Sequence, residues 1–436
     1  MIKKLIRTVL LVALLSTTTL HAWAEDVNRQ ALQALAMSDW FKFRSIYNTN
    51  RDNLSPEYAD LFKAMLDMTF NHPDSAIAST KALLRNHGKE FDDQTKFGFV
   101  TLMARAYGIK GQYGEVAKLL ESVADKSNKS GGDTQKAAQA MQRIANVLKT
   151  TDVNQLVGTK PYTMKFSLDS VGPATSRGVA IRIDGSLNGK PTRMTFDTGA
   201  GVNVITPEFA KELNLEIHNI QAAAEGVGGR VNAQLAIANE LHLGNLTVHN
   251  VPFYVIDLTT SNDTVDKYLK TFNCIVGLPV MKALGEMQLD FANGTITVPS
   301  TDTESDVRNL ALSMKDMQLM LQAENREDTI VSVLDTGYSG YGQLGHNYFK
   351  THKKQVKESG KLQKHGAGGA GGVVYSKGYT LPDFVITIAG NSQNIPKMQV
   401  LASKNGNNDH NTLGAPTLCL FNKVIINLNK MFLLAQ

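Results

Sequence analysis

Asp197 and Asp335 are the residues on which chemistry would turn. Each closes an apolar run and opens the same tripeptide: residues 193–201 read RMTFDTGAG and residues 331–339 read VSVLDTGYS. The apolar run predicts a short buried strand, and the Thr-Gly after it a tight turn in which glycine supplies freedom at positive φ. That geometry lifts a carboxylate to the end of a strand. Two carboxylates brought face to face cannot both ionise, so they share one proton and their pKa values split. The ionised member can then act as general base on a water while the other protonates a carbonyl oxygen. This chemistry calls for no cofactor and no metal.

The elements that must position the pair are duplicated. CIVGL at 274–278 follows the first Asp, with Gly277 80 residues after Asp197, and NTLGA at 411–415 follows the second, with Gly414 79 residues after Asp335. Further on, MQLDF at 287–291 matches VIINL at 424–428 in the same register. Three landmarks in one spacing make this half of the chain an internal repeat. Between each Asp and its later glycine lies a glycine-rich stretch, GVGGR at 226–230 and GAGGAGG at 366–372. Neither has the Lys-Ser/Thr ending of a phosphate-cradling loop.

Asp-Thr-Gly followed about eighty residues later by two apolar residues and Gly resembles the lobe of the retropepsin-like and pepsin-like aspartic proteases, with two lobes fused over residues 162–436. The resemblance implies an aspartic endopeptidase acting on extended polypeptide, with Asp197 and Asp335 as its dyad. It implies that Thr198 and Thr336 tie the two loops together and that Gly199 and Gly337 offer amide donors. Gly277 and Gly414 would let a crossing strand approach the back of each loop. Gly226, Gly228 and Gly229, and Gly368 and Gly369, would belong to flap hairpins that close over substrate. Alternatively, the same fold binds peptide without turnover.

Departures from the family pattern carry expectations of their own. Thr412 stands where an apolar residue is usual. Tyr338 replaces a small residue and either lines the cleft or crowds the carboxylate. Neither lobe has Ser or Thr at that position, so the anion has fewer hydrogen bonds and the expected optimum is less acidic than pepsin's. Neither flap has a Tyr near its tip; the nearest is Tyr375. Val202, Ile205, Ile275 and Leu413 suggest apolar pockets for substrate side chains.

At the start of the chain, residues 1–24 carry Lys3, Lys4 and Arg7, an apolar stretch over 9–15 and an Ala22-Trp23-Ala24 cleavage pattern, which predicts a secretory signal and an exported, periplasmic or secreted protein. The formal net charge of +5 falls to +2 without those three cations, too near neutral to suggest nucleic acid or an anionic membrane surface. The ten histidines are scattered, without HExxH or CxxC, so no metal site is expected. Cys274 and Cys419 stand at non-equivalent places in the two repeats, and their pairing is open.

From residue 25 to about 150, Ala, Leu, Met, Lys and Gln recur at helical spacing, and Ser55-Pro56 marks a helix start. Val100, Met103, Ala104, Tyr107, Gly111, Tyr113, Val116, Leu120 and Val123 are similar to a tetratricopeptide-type helix pair. A weaker copy covers 58–84, and 126–133 reads as a polar turn. These helices either pack on the rest of the chain or grip a protein partner. Residues 154–162 read as a linker, after which apolar residues alternate with period two, and Asp184-Gly185 and Asn188-Gly189 read as turns. The expected fold class is multidomain α and β. A signal at 1–24 and an α-helical repeat domain at 25–150 precede a mostly-β, two-lobed acid-protease-like domain, with lobes at 160–300 and 301–436.

Overall fold

The computed structural model describes residues 22–123, 133–172, 178–260, 262–314, 317–326, 328–404 and 410–436. The expected signal and the polar turn at 126–133 lie almost wholly outside the described residues. Contacts divide the chain into two units, Met1–Asp152 with Ala311–Met317, and Val153–Leu310 with Gln318–Gln436. The first is helical and the second mostly strand, as the change of periodicity predicts.

In the helical unit, helices Ala22–Ala36, Trp40–Asn50, Pro56–Thr69, Pro73–His87, Asp93–Ile109, Tyr113–Glu121 and Asp133–Leu148 follow one another. Asp39 and Asp92 cap two of them by accepting from the backbone N–H of Lys42 (3.0 Å) and Thr95 (2.7 Å), which supplies partners to donors the helix itself leaves unmet. Ser55 does stand at the expected N-cap, but its hydroxyl makes no capping bond. Tight turns use left-handed backbone at Asn71 (φ 57°) and Gly111 (φ 70°). Ala104, Val116 and Leu120 are buried with Ala138 and Ala145, and Val100, Tyr107 and Tyr113 pack against them. Residues 311–317, counted with the second lobe by their place in sequence, fold with the helices; Arg105 Nη1 donates to the Met314 carbonyl at 2.6 Å. No helix among the described residues is long and apolar enough to cross a membrane.

The β unit contains two sheets of 13 and 10 strands. Its first hairpin, Gly178–Leu187 with Lys190–Phe196, turns at Asn188 (φ 48°) and Gly189 (φ 78°), as the sequence predicts. Asp184-Gly185 is not a turn. Gly185 lies inside the strand, paired with Thr192 on one side and Leu243 on the other. A β-carbon there would collide with the His242 carbonyl, so glycine serves close strand packing. The expected linker is likewise part of the first lobe, because Gln155–Val157 adds as a strand to Leu246–Val255.

The matching segments MQLDF and VIINL are laid directly on each other. Strand Glu286–Asp290 pairs antiparallel with Lys423–Asn427, Met287 opposite Ile426 and Leu289 opposite Val424. This pairing joins the lobes. At its end the fully buried Glu286 accepts from Thr303 N and Oγ1 (both 2.7 Å), Gln288 Nε2 (2.7 Å) and Asn427 Nδ2 (2.8 Å). Removing it takes the acceptor from the buried Asn427 amide and from the half-buried Thr303 and Gln288 donors, at about 1–3 kcal/mol for each left unpaired. Glu286→Ala should therefore destabilise the β unit by roughly 3 kcal/mol or more in urea unfolding; an unchanged midpoint would show that the joint does not rest on this carboxylate.

Candidate active site

Strand Lys190–Phe196 delivers Asp197 and strand Asp328–Asp335 ends on Asp335. Each runs parallel to the strand carrying the later glycine: Phe196 lies opposite Val276, and Asp335 opposite Gly414. A third strand then pairs antiparallel on its other side, Val204 with Ile275 and Gly342 with Leu413. The Asp197 N–H donates to the Val276 carbonyl at 3.0 Å. A β-carbon at Gly277 would strike the Ala200 and Val202 carbonyls, and one at Gly414 those of Tyr338 and Gly340. Both glycines thus stand behind their loops, where the resemblance places them.

The two loops interlock. Thr198 Oγ1 accepts from Thr336 N (3.0 Å) and donates to the Leu334 carbonyl (2.7 Å). Thr336 Oγ1 reciprocates, accepting from Thr198 N (2.9 Å) and donating to the Phe196 carbonyl (2.7 Å). Both threonines are fully buried, so these bonds have no competition from water. The neighbouring glycines make the close approach possible: a β-carbon at Gly199 would enter the Asp335 carboxyl, and one at Gly337 the Asp197 carboxyl.

The environments of the carboxyls differ. Asp197 Oδ1 accepts from the N–H groups of Gly199 (2.8 Å), Ala200 (3.2 Å) and, across the dyad, Gly337 (3.2 Å). Asp335 Oδ1 accepts from Tyr338 N at 3.0 Å. Burial raises the Asp197 pKa above its ordinary value, opposed by these amide donors. Burial, and then the charge of Asp197, hold Asp335 well above the usual carboxylate range. Both carboxyls are raised as one coupled pair, with more amide donors on Asp197 than on Asp335.

The raised pKa of Asp335 sets a stability dependence whose sign is fixed by linkage. Between the unfolded and folded pKa values of Asp335 the folded state binds more protons, so stability falls as pH rises through that window. The contribution is complete below the ordinary carboxylate pKa and lost above the raised one. The thermal midpoint of the wild type minus that of Asp335→Asn should therefore decrease from about pH 4 to 7. A constant or increasing difference would contradict the raised pKa.

Burial, and then the charge of Asp335, raise the pKa of the Tyr338 phenol, so the side chain stands within reach of that carboxyl's field. Its ring packs where side chains at Gly340 and Gly414 would stand, and its hydroxyl donates to Gln399 Oε1 at 3.3 Å. Each glycine-rich stretch forms a hairpin tip, strands Ile217–Gly226 with Gly229–Leu243 and Lys361–Gly369 with Gly372–Leu381. The two tips touch. Gly228 N donates to the Ala370 carbonyl at 3.0 Å, and β-carbons at Gly226 or Gly228 would collide with the opposite tip. Gly229 closes the first tip at φ 126°, Gly369 faces Val227, and Gly368 faces Val265. Ala370 packs on an apolar cluster with Val202, Val204, Phe272 and Ile275. Of the expected pocket residues Val202 and Ile275 are in this cluster, Ile275 from the middle of the first strand crossing, whereas Ile205 and Leu413 are fully buried core. Tyr375 lies on the second flap, exposed, under the Lys364 ammonium.

Sequence reasoning missed Asn203, which is buried and ties the first crossing together: Oδ1 accepts from Gly277 N (2.9 Å) and Nδ2 donates to the Pro252 carbonyl (3.0 Å). It also missed Arg182, buried in the first lobe with Nη2 on the Thr271 carbonyl (2.6 Å) and its guanidinium over Phe272. An Arg alternating with Ile181 and Ile183 was the available signal. Cys274 and Cys419 are free thiols, each pushed up to about 12 by burial.

Residues 183–280, from within strand Gly178–Leu187 to the helix after Gly277, match a family model described as aspartyl protease. That stretch forms an aspartic-protease-like domain. No curated protein matches the chain.

Proposed function

We propose that the protein is an aspartic endopeptidase that hydrolyses extended polypeptide through a water activated by Asp197 and Asp335. The observation that carries this reading is the reciprocal threonine lattice, which brings together two carboxyls from separate lobes, Asp197 on the amides of Gly199, Ala200 and Gly337 and Asp335 on that of Tyr338. Asp197, ionised, takes a proton from water as the oxygen attacks the peptide carbonyl carbon. Asp335 gives its proton to the carbonyl oxygen, leaving a tetrahedral diol. Collapse of the diol breaks the C–N bond as a proton passes to the leaving nitrogen, and the dyad again holds one proton between its carboxyls. The glycine-rich tips suit main-chain hydrogen bonding to a strand beneath them, and the apolar cluster around Val202 and Ile275 suits an aliphatic side chain.

The helical unit is, in this reading, the part that recognises a protein partner or presents the polypeptide to the cleft. The test is incubation of the protein with an unfolded polypeptide mixture from about pH 3 to 7, the range over which a carboxylate pair exchanges its proton. New peptide ends with apolar residues at the cut support the reading. Intact polypeptide at every pH, with the protein folded, contradicts it.

A further inference from the structure

The two flaps have opposite electrostatic character. From helix Pro207–Glu212 to strand Gly229–Leu243 the first lobe carries five acidic residues and two basic ones. From helix His346–Thr351 to strand Gly372–Leu381 the second lobe carries one acidic residue, Glu358, and seven lysines. The duplicated segments thus have formal charges of −3 and +6. Lys350, Lys353, Lys354, Lys357, Lys361, Lys364 and Lys377 are all exposed.

Charge placement within the hairpins sharpens the contrast. In the first flap Glu225 lies directly opposite Arg230, so its charges offset each other. In the second, Lys364 lies directly opposite Lys377, an arrangement that repels within the hairpin. Among the described residues the ion pairs nearest in sequence, His352–Asp328 and Lys430–Glu304, take none of the seven lysines. Lys364 rests 4.1 Å from the centre of the Tyr375 ring, which relieves only one of them. An antiparallel hairpin built with like charges face to face is an anion acceptor awaiting its anion. This hairpin is also the one whose tip bonds the first flap and packs on the apolar cluster beside Asp197.

We propose, building on the endopeptidase reading, that the lysines of the second flap and the helices leading to it bind acidic residues of the substrate. The preferred substrate is then a polypeptide with acidic residues on one side of an apolar cleavage point. The charge difference between the flaps also sets the direction in which the chain lies, its acidic side toward the second lobe. A fully exposed lysine contributes little singly, but several acting on one flank should change affinity roughly tenfold at low salt.

The test uses three synthetic peptides sharing one cleavable apolar core, with three Glu before it, three Glu after it, or Gln at all those positions. kcat/KM is measured near pH 6, where free carboxylates are ionised, in low salt and in 0.5 M NaCl, on wild type and on the triple variant Lys361→Gln, Lys364→Gln, Lys377→Gln. Binding of the fluorescently labelled peptides is measured in parallel by anisotropy, which needs no turnover. The expected result is a roughly tenfold advantage for one of the two acidic peptides, lost in the triple variant and in salt. Equal kcat/KM for all three peptides on wild type overturns the inference and leaves the endopeptidase reading standing. If no peptide is cut, that reading fails, and anisotropy decides the inference alone: lysine-dependent, salt-sensitive binding supports it and equal binding overturns it. Lysine-dependent sedimentation with vesicles containing anionic lipid, without discrimination among peptides, also overturns it, assigning the patch to a surface instead.

Discussion

Asp197→Asn and Asp335→Asn should each lower kcat/KM by at least about a thousandfold, with folding unimpaired. The two losses have different causes. Asn at 197 cannot take a proton from water, so the nucleophile is not activated, although its amide oxygen can still accept from Gly199 and Ala200. Asn at 335 removes the acid that protonates the carbonyl oxygen, while its side chain still accepts from Tyr338 N. Because the pair works as one unit, the double variant should be little worse than either single one. Retention of more than about a tenth of the wild-type rate by either would mean that the lobes act with a single essential carboxylate, outside the scale of general acid–base loss.

Thr198→Val should bring the second large loss, this time in both stability and rate. Valine matches threonine in shape but strands the Thr336 N–H and the Leu334 carbonyl, both of which the Thr198 hydroxyl satisfies in a fully buried setting. At about 1–3 kcal/mol for each stranded group, unfolding should ease by about 2–5 kcal/mol. The rate should fall as well, because Thr198 positions the loop on which Asp197 stands. Thr336→Val should behave alike, since the lattice is reciprocal. Serine at either position keeps the hydroxyl and should restore most of the stability, whereas a role limited to packing predicts that valine is the milder change.

The sequence made the dyad, the threonines and the glycines behind them legible because duplication repeats their chemistry at one spacing. Periodicity marked the passage from helix to strand for the same reason that it works elsewhere: the apolar faces of helices and strands recur differently. Other features depended on partners distant in the chain. Asp184-Gly185 has the composition of a turn, and only the His242 carbonyl crossing it shows why glycine is there. MQLDF and VIINL were readable as equivalents, but their pairing with each other follows from the relation between the lobes, which no local pattern encodes. Ile205 and Leu413 are apolar near the loops, yet both are core, while Val202 and Ile275, the latter in the same strand crossing as Ile205, reach the cluster under the Ala370 tip. Glu286 opens strand Glu286–Asp290 and Asn203 precedes strand Val204–Ile205, and neither local setting reveals a partner; their bonds span 141 residues to Asn427 and 74 to Gly277. Residues 311–314 follow the strands of the other unit in sequence and join the helical unit through tertiary contact, as in the bond from Arg105 to the Met314 carbonyl.

In the proposed reaction one proton shared by Asp197 and Asp335 governs turnover, and the dependence of kcat/KM on pH reports that sharing. The expected profile is a bell. Its acid limb rises as the coupled pair loses its first proton and its alkaline limb falls as the pair loses its second, each limb with unit slope. Because Ala200 and Tyr338 stand where a hydroxyl would stabilise the anion, the maximum should lie above pepsin's. A rate that is flat, or that climbs steadily into alkaline solution, would contradict a shared proton as the source of the activity.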